Sequence, residues 1–178
     1  MRVTRGFSLI ELLVTLSVAA ILLAMATPSL AQFFRSNRVS SATNEVVLSL
    51  QLARAEAARR GRDVTLCRST NGTTCASGTA WATGWIVFQD AASSGAAAPT
   101  GAGSELIRVF DSLDSSLSLT GPNDHLRFRP DGTVEQIATG GSDVAFALTV
   151  SGCRGDQRRA ISISRLGRVR TARAECTT

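Results

Sequence analysis

Seven arginines fall between Cys153 and Thr178, at 154, 158, 159, 165, 168, 170 and 173, against only Asp156 and Glu175. Arg168 and Arg170 flank a single apolar residue, Val169. Residues two apart on a strand share a face, so both guanidiniums can face solvent while Val169 faces a core. Arg165 lies just across Leu166-Gly167, Arg173 follows on the tail, and Arg158 and Arg159 open the preceding strand. A guanidinium is a planar fork that binds phosphate oxygens bidentately. A hairpin with several of them on one side can meet successive phosphates of a duplex without reading its sequence. The same residues also fit a solvated strand face, where charge guards an edge against aggregation.

Other chemistry is sparse. Four cysteines stand at 67, 75, 153 and 176, which suits an exported chain in an oxidising compartment. Four cysteines allow three pairings. The expected one joins Cys67 to Cys75 and Cys153 to Cys176, because each pair brackets a local unit. Zinc is the rival, but the cysteines lack the close C-x2–4-C pairs of structural zinc sites. No metal and no cofactor is expected. The single histidine, His125, stands beside the Gly121-Pro122 turn and reads as a surface loop residue. No serine sits in G-x-S-x-G, there is no Walker-type loop, and Asp111 and Asp114 have no base or ligand beside them. No catalytic residue is assigned, and no enzyme is expected. Trp81 and Trp85 read as core and rim packing of a globular head.

The elements that must carry these residues begin at an unusual N-terminus. Met1-Arg-Val-Thr-Arg-Gly6 is short and basic, Phe7-Ser-Leu-Ile-Glu11 follows, and Leu12 to Phe34 is 23 residues without a charge. The run exceeds the ~18 residues at which a membrane span is suspected. A carboxylate in such a segment is costly unless paired, which makes Glu11 a functional residue by default. Three readings compete: a secretory signal peptide cleaved after Ala26 or Ala31, a plain membrane anchor, and a type IV pilin leader. The third rests on Arg5-Gly6/Phe7-Ser-Leu-Ile-Glu11, which closely resembles a prepilin peptidase site. The resemblance implies cleavage between Gly6 and Phe7 and N-methylation of Phe7. It also implies that Glu11 pairs with the N-terminal amine of a neighbouring subunit during filament assembly. Pro28 falls where many pilins carry a helix-kinking proline.

At 178 residues the chain suits one modest domain behind an anchor. All 19 basic residues are arginine, and against 14 acids the net charge is +5. The excess is mild and shrinks further if Arg2 and Arg5 leave with the leader, residues 1–6. Residues 7–31 form the hydrophobic half of a helix about 80 Å long. Residues 32–61 form its amphipathic half. There Val39, Ala42, Val46, Leu50, Ala53 and Ala57 recur every three or four positions, and Gly61 is a natural stop. Pro28 is expected to kink or locally melt the helix, because it removes a donor and clashes with the preceding turn. Over 62–178 the period changes to two. Strands are expected at 63–68, 84–89, 105–110, 126–129, 132–135, 144–150, 160–164 and 168–171. Pro130-Asp-Gly132 and Leu166-Gly167 read as turns between strand pairs, and 92–104 as a small-residue loop. The fold class is α+β: one long N-terminal helix and an antiparallel β head.

Leu66-Cys-Arg-Ser69, Trp81, Gly84-Trp-Ile-Val-Phe-Gln-Asp90, Arg108-Val-Phe110, Phe128-Arg-Pro-Asp-Gly-Thr-Val134 and Gly167-Arg-Val-Arg170 resemble the GspH/FimT family of minor pilins and pseudopilins. The resemblance implies the type IV pilin fold, with the helix kinked near Pro28 and packed on an antiparallel sheet. Gly167-Arg-Val-Arg170 also matches the GRxR pattern that, in FimT-like minor pilins of competent bacteria, is associated with DNA uptake. The implied function is a minor pilin of a type IV pilus that binds extracellular double-stranded DNA non-specifically for natural transformation. Gly167, Arg168 and Arg170 would carry contact, with Arg165 and Arg173 assisting. A structural minor pilin that primes assembly without touching DNA, and a pseudopilin of a type II secretion system, are the alternatives. The implied partners are other major and minor pilins, prepilin peptidase, the inner membrane before assembly, and double-stranded DNA. The implied location is the inner membrane with a periplasmic head, then the filament at the cell surface.

Overall fold

From Leu9 to Arg60 the sequence contains no glycine and one proline, so little in it interrupts a helix. The structure is a computed structural model and describes residues 8–91, 99, 103–122, 125–135 and 143–176, without the side chains of 25–29. Helix α1 spans Leu9–Arg60. Ser8 starts it: the Glu11 backbone N–H donates to Ser8 Oγ at 3.3 Å. A serine with glutamate three residues on is the pattern of a capping box. Gly61, at φ +63°, ends the helix, in the left-handed region that glycine alone enters freely. The helix runs unbroken through position 28. The side chain of Pro28, on which the expected kink turns, lies outside the described residues.

The chain forms two compact units, Met1–Asn37 and Arg38–Thr178. In the first, every described side chain of α1 from Leu9 to Phe34 is exposed. Among the described residues no helix is long and apolar enough to cross a membrane. The described side chains break off at 25–29, inside the uncharged run.

In the second unit the expected stripe of α1 is core: Val39, Ala42, Val46, Leu50, Ala53 and Ala57 are all buried. They share one apolar cluster with two antiparallel sheets. The first sheet has β1 (Val64–Arg68), β2 (Trp85–Gln89), β3 (Glu105–Phe110), β5 (His125–Phe128) and β6 (Val134–Glu135), in the order β3-β2-β1-β5-β6. The second has β4 (Leu117–Thr120), β7 (Val144–Val150), β8 (Arg158–Ile163) and β9 (Val169–Ala174), in the order β4-β7-β8-β9. Trp81 and Trp85 are both core residues. Trp81 meets Phe146 edge-on at 5.1 Å between centroids, and Trp85 stacks on Phe110 at 5.3 Å.

Two features depart from the sequence reading. Strand β4 was not expected, although Leu117 and Leu119 are buried and Ser118 and Thr120 exposed. Two apolar positions inside a serine-rich stretch are too few to stand out as a period. His125 is not a surface loop residue. It opens β5 opposite Cys67 and is buried. It lies on the far face of the first sheet, where Cys67, Ile86 and Phe88 form a second apolar cluster with Cys75. The polar residues of that face are tied together. Thr65 Oγ1 donates to Asp90 at 3.1 Å, and Arg127 stands 3.6 Å from Asp90 and 3.1 Å from Glu135.

Both expected disulfides form. Cys67 joins Cys75, with 5.5 Å between their Cα atoms, and Cys153 joins Cys176, with 5.8 Å.

Candidate nucleic-acid interface

The register of the last hairpin decides where its arginines face. In the β8–β9 ladder Ile163 lies opposite Val169, Ser162 opposite Arg170, and Arg159 opposite Arg173. Ile161 and Ile163 are buried. The pleat therefore sets Val169, Thr171 and Arg173 on the core side of the sheet and Arg170 and Ala172 on the other. Val169 is half-buried and packs against the core, while Arg168 and Arg170 are exposed. β9 is an edge strand of its sheet.

The turn before β9 is tightly bonded. Gly167 N–H donates to Ser164 O at 2.8 Å, and Ser164 N–H donates to Arg168 O at 3.0 Å. Gly167 has φ +70°, and a Cβ there would collide with the Gly132 carbonyl. The Pro130–Gly132 turn thus lies directly against the Leu166-Gly167 turn, and Val134 N–H donates to Arg165 O at 2.8 Å between them. The glycine of Gly-Arg-Val-Arg is accordingly a packing requirement. Arg54 of α1 reaches the same place, with Nη1 donating to Gly167 O at 3.2 Å. At the other end the Cys153–Cys176 bridge encloses the whole hairpin, and Cys176 N–H donates to Gly155 O at 2.9 Å.

Charge is distributed unevenly. Among the described residues no ion pair engages Arg165, Arg168 or Arg170. Arg173 differs. It pairs with Asp156 at 3.1 Å, and its hydrogen bond holds the Asp156 carboxyl below the usual carboxylate range. It also lies on the opposite side of the pleat from Arg170. The structure therefore puts Arg165, Arg168 and Arg170 at the turn end of the hairpin and Arg173 towards its tail. Beside them runs a groove of about 720 Å³, lined by Leu50, Gln51 and Arg54 of α1 and by Gly167, Arg168 and Arg170. Among the described residues Asp143 is the one carboxylate in its wall. A smaller cleft of about 580 Å³, between the 69–72 loop and the end of β3, is lined mostly by hydroxyl and amide side chains. Among the described residues no cluster of three or more potential metal ligands occurs.

Gly6 and Phe7, the expected cleavage site, lie outside the described residues. Glu11 is exposed in the first turn of α1. Sequence reasoning missed the Ser8 cap on the Glu11 backbone N–H, although Ser8-Leu-Ile-Glu11 carries the capping-box pattern. It also missed Arg54, for which no local signal existed.

The family model described as Type II transport protein GspH matches residues 42–167, which is more than half of the chain. The model described as Prokaryotic N-terminal methylation motif matches residues 1–27. Among solved structures, the type IV minor pilin FimU of Pseudomonas aeruginosa strain PAO1 is similar in two crystal forms. One has a TM-score of 0.56 at 24% identity, covering 76% of this chain and 89% of that one. The other has a TM-score of 0.53 at 23% identity, covering 75% and 91%. The minor pseudopilin EpsH from the type 2 secretion system of Vibrio cholerae has a TM-score of 0.51 at 14% identity, covering 76% and 97%. At these identities the likeness speaks for the type IV pilin fold. No curated protein matches in sequence. The family match over residues 42–167 carries identity: the chain belongs to the GspH family of type II transport proteins, behind an N-terminus that bears the prokaryotic methylation motif.

Proposed function

We propose that this chain is a minor pilin of a type IV pilus that binds extracellular double-stranded DNA, without sequence preference, for natural transformation. Arg168 and Arg170 contact phosphates and Arg165 assists. The observation that carries the reading is three guanidiniums at the braced turn end of one hairpin that, among the described residues, form no ion pair. Prepilin peptidase cleaves between Gly6 and Phe7. Before assembly α1 anchors the chain in the inner membrane with the head in the periplasm. Afterwards the helix packs among other major and minor pilins in the filament. The exposed apolar side chains over 12–24 and 30–34 support this, since apolar surface of that extent needs a cover. The head performs no catalysis.

The test is a titration of duplex DNA with the full chain in neutral detergent across salt concentrations. Three neutralised phosphates give a slope of log affinity on log salt near −3, from ~0.9 per phosphate. The Arg168→Ala/Arg170→Ala variant is expected to bind at least about tenfold more weakly, with the slope reduced by about 2. Binding equal to the parent defeats the reading. One observation favours a pseudopilin of a type II secretion system instead: the GspH match ends at Gly167, so Arg168 and Arg170 lie beyond it. On that reading the double variant is indifferent to DNA, and loss of the chain impairs secretion while transformation is intact.

A further inference from the structure

Arg54 lies on α1 next to Ala53, a buried member of the core stripe, and far in sequence from the last hairpin. Its guanidinium nevertheless sits at the meeting point of two turns. Nη1 donates to Gly167 O at 3.2 Å. A Cβ built on Gly132 would stand 3.1 Å from Arg54 Nε, and one built on Gly167 would stand 3.0 Å from it. The two turns therefore close around the guanidinium, and each is glycine where it passes. The carbonyl that Arg54 holds belongs to the peptide whose N–H is that of Arg168. That N–H faces Ser164 Oγ at 3.3 Å. A charged donor on a backbone carbonyl makes a stronger bond than a neutral one, and here it ties the rigid helix to the first residue of the Arg-Val-Arg segment.

We infer that Arg54 is a positioning residue that fixes the Leu166-Gly167 turn, and with it the placement of the Arg168–Arg170 segment, before any phosphate is bound. The inference rests on the DNA-binding reading for its consequence, and on the two turns alone for its geometry. Fixing the turn in advance removes an ordering cost from binding. It does not add a phosphate contact.

That distinction is measurable. The parent and Arg54→Ala are compared as full chains in neutral detergent by hydrogen exchange without DNA and by duplex titration across salt. Faster exchange over 130–134 and 164–169 is expected in the variant. Affinity is expected to fall about fivefold to tenfold, with the salt slope unchanged. A slope reduced by about 0.9 marks Arg54 as a direct phosphate contact and overturns the inference. Unchanged exchange in the two turns, or unchanged affinity, overturns it as well. Failure of the DNA reading shows separately, as parent-like binding by Arg168→Ala/Arg170→Ala, while exchange in the turns still reports on Arg54 without DNA.

Discussion

Glu11 stands where a local demand and a proposed assembly demand would fall on one side chain. Its backbone N–H is capped by Ser8 Oγ, and a glutamate at this place in a capping box also suits the positive end of the helix. That local reason is enough to account for an acid here. The leader resemblance adds another, a charge that pairs with a neighbouring amine. The two reasons separate by substitution. Glutamine serves in a capping box as glutamate does but carries no charge. If the charge is needed, Glu11→Gln and Glu11→Ala both reduce pilus assembly, scored as sheared filaments bearing the chain. Assembly at the parental level in the glutamine variant would leave capping as the only role. At the same scale, Arg173 shows why a residue type is not a function. Asp156 engages it, whereas no carboxylate among the described residues engages Arg168 or Arg170.

At the scale of elements, the C-terminal turn of α1 is clamped to the first sheet. Glu56 accepts from Arg59 and Arg60, and Arg60 also reaches Gln89 on β2 and Glu105 on β3. The hydrogen bond from Arg59, followed by that from Arg60, lowers the Glu56 carboxyl from 4.5 to about 2. A carboxyl lowered on folding adds stability that is fully present above its unfolded value, near 4.5. That stability is lost as pH falls towards 2. Urea unfolding measured between pH 6 and 2 should show this loss, on the order of 1 kcal/mol after allowance for solvent screening of the exposed Arg59. The loss should be absent in Glu56→Gln. An identical pH profile in the two proteins would show that the clamp contributes nothing. The C-terminal hairpin uses covalent closure. The Cys153–Cys176 bridge surrounds β8 and β9, so the edge strand with the arginines is held at its tail by sulfur and at its turn by Gly132 and Arg54.

For the whole molecule, the methylation motif and the N-terminal helix fit a membrane-anchored pilin with a globular head. Processing at Gly6/Phe7 predicts a mature chain that begins at Phe7 and carries an added methyl group, checked by intact mass and peptide mapping. A mature terminus after Ala26 or Ala31 would instead mean a discarded signal peptide. Much of the architecture was legible without the structure. The stripe from Val39 to Ala57, the disulfide pairs and the turns at Gly132 and Gly167 each rest on periodicity, bracketing or punctuation within a short window. The strand at Leu117–Thr120 was not legible, because its window holds only two buried positions. Nor was the burial of His125, which follows from its pairing opposite Cys67 across two strands. The sequence by itself determined the N-terminal methylation motif, the helix stripe, the α+β class and the presence of an arginine-rich tail, all of which are local patterns. Only the tertiary structure decided which arginines could act together. Pairing with β8 carries β9 to Ala174, past its expected end at 171, and so puts Arg173 on the strand, across the pleat from Arg170. The packing of two distant turns brings Arg54 to the Gly167 carbonyl, a contact between segments that no stretch of sequence contains.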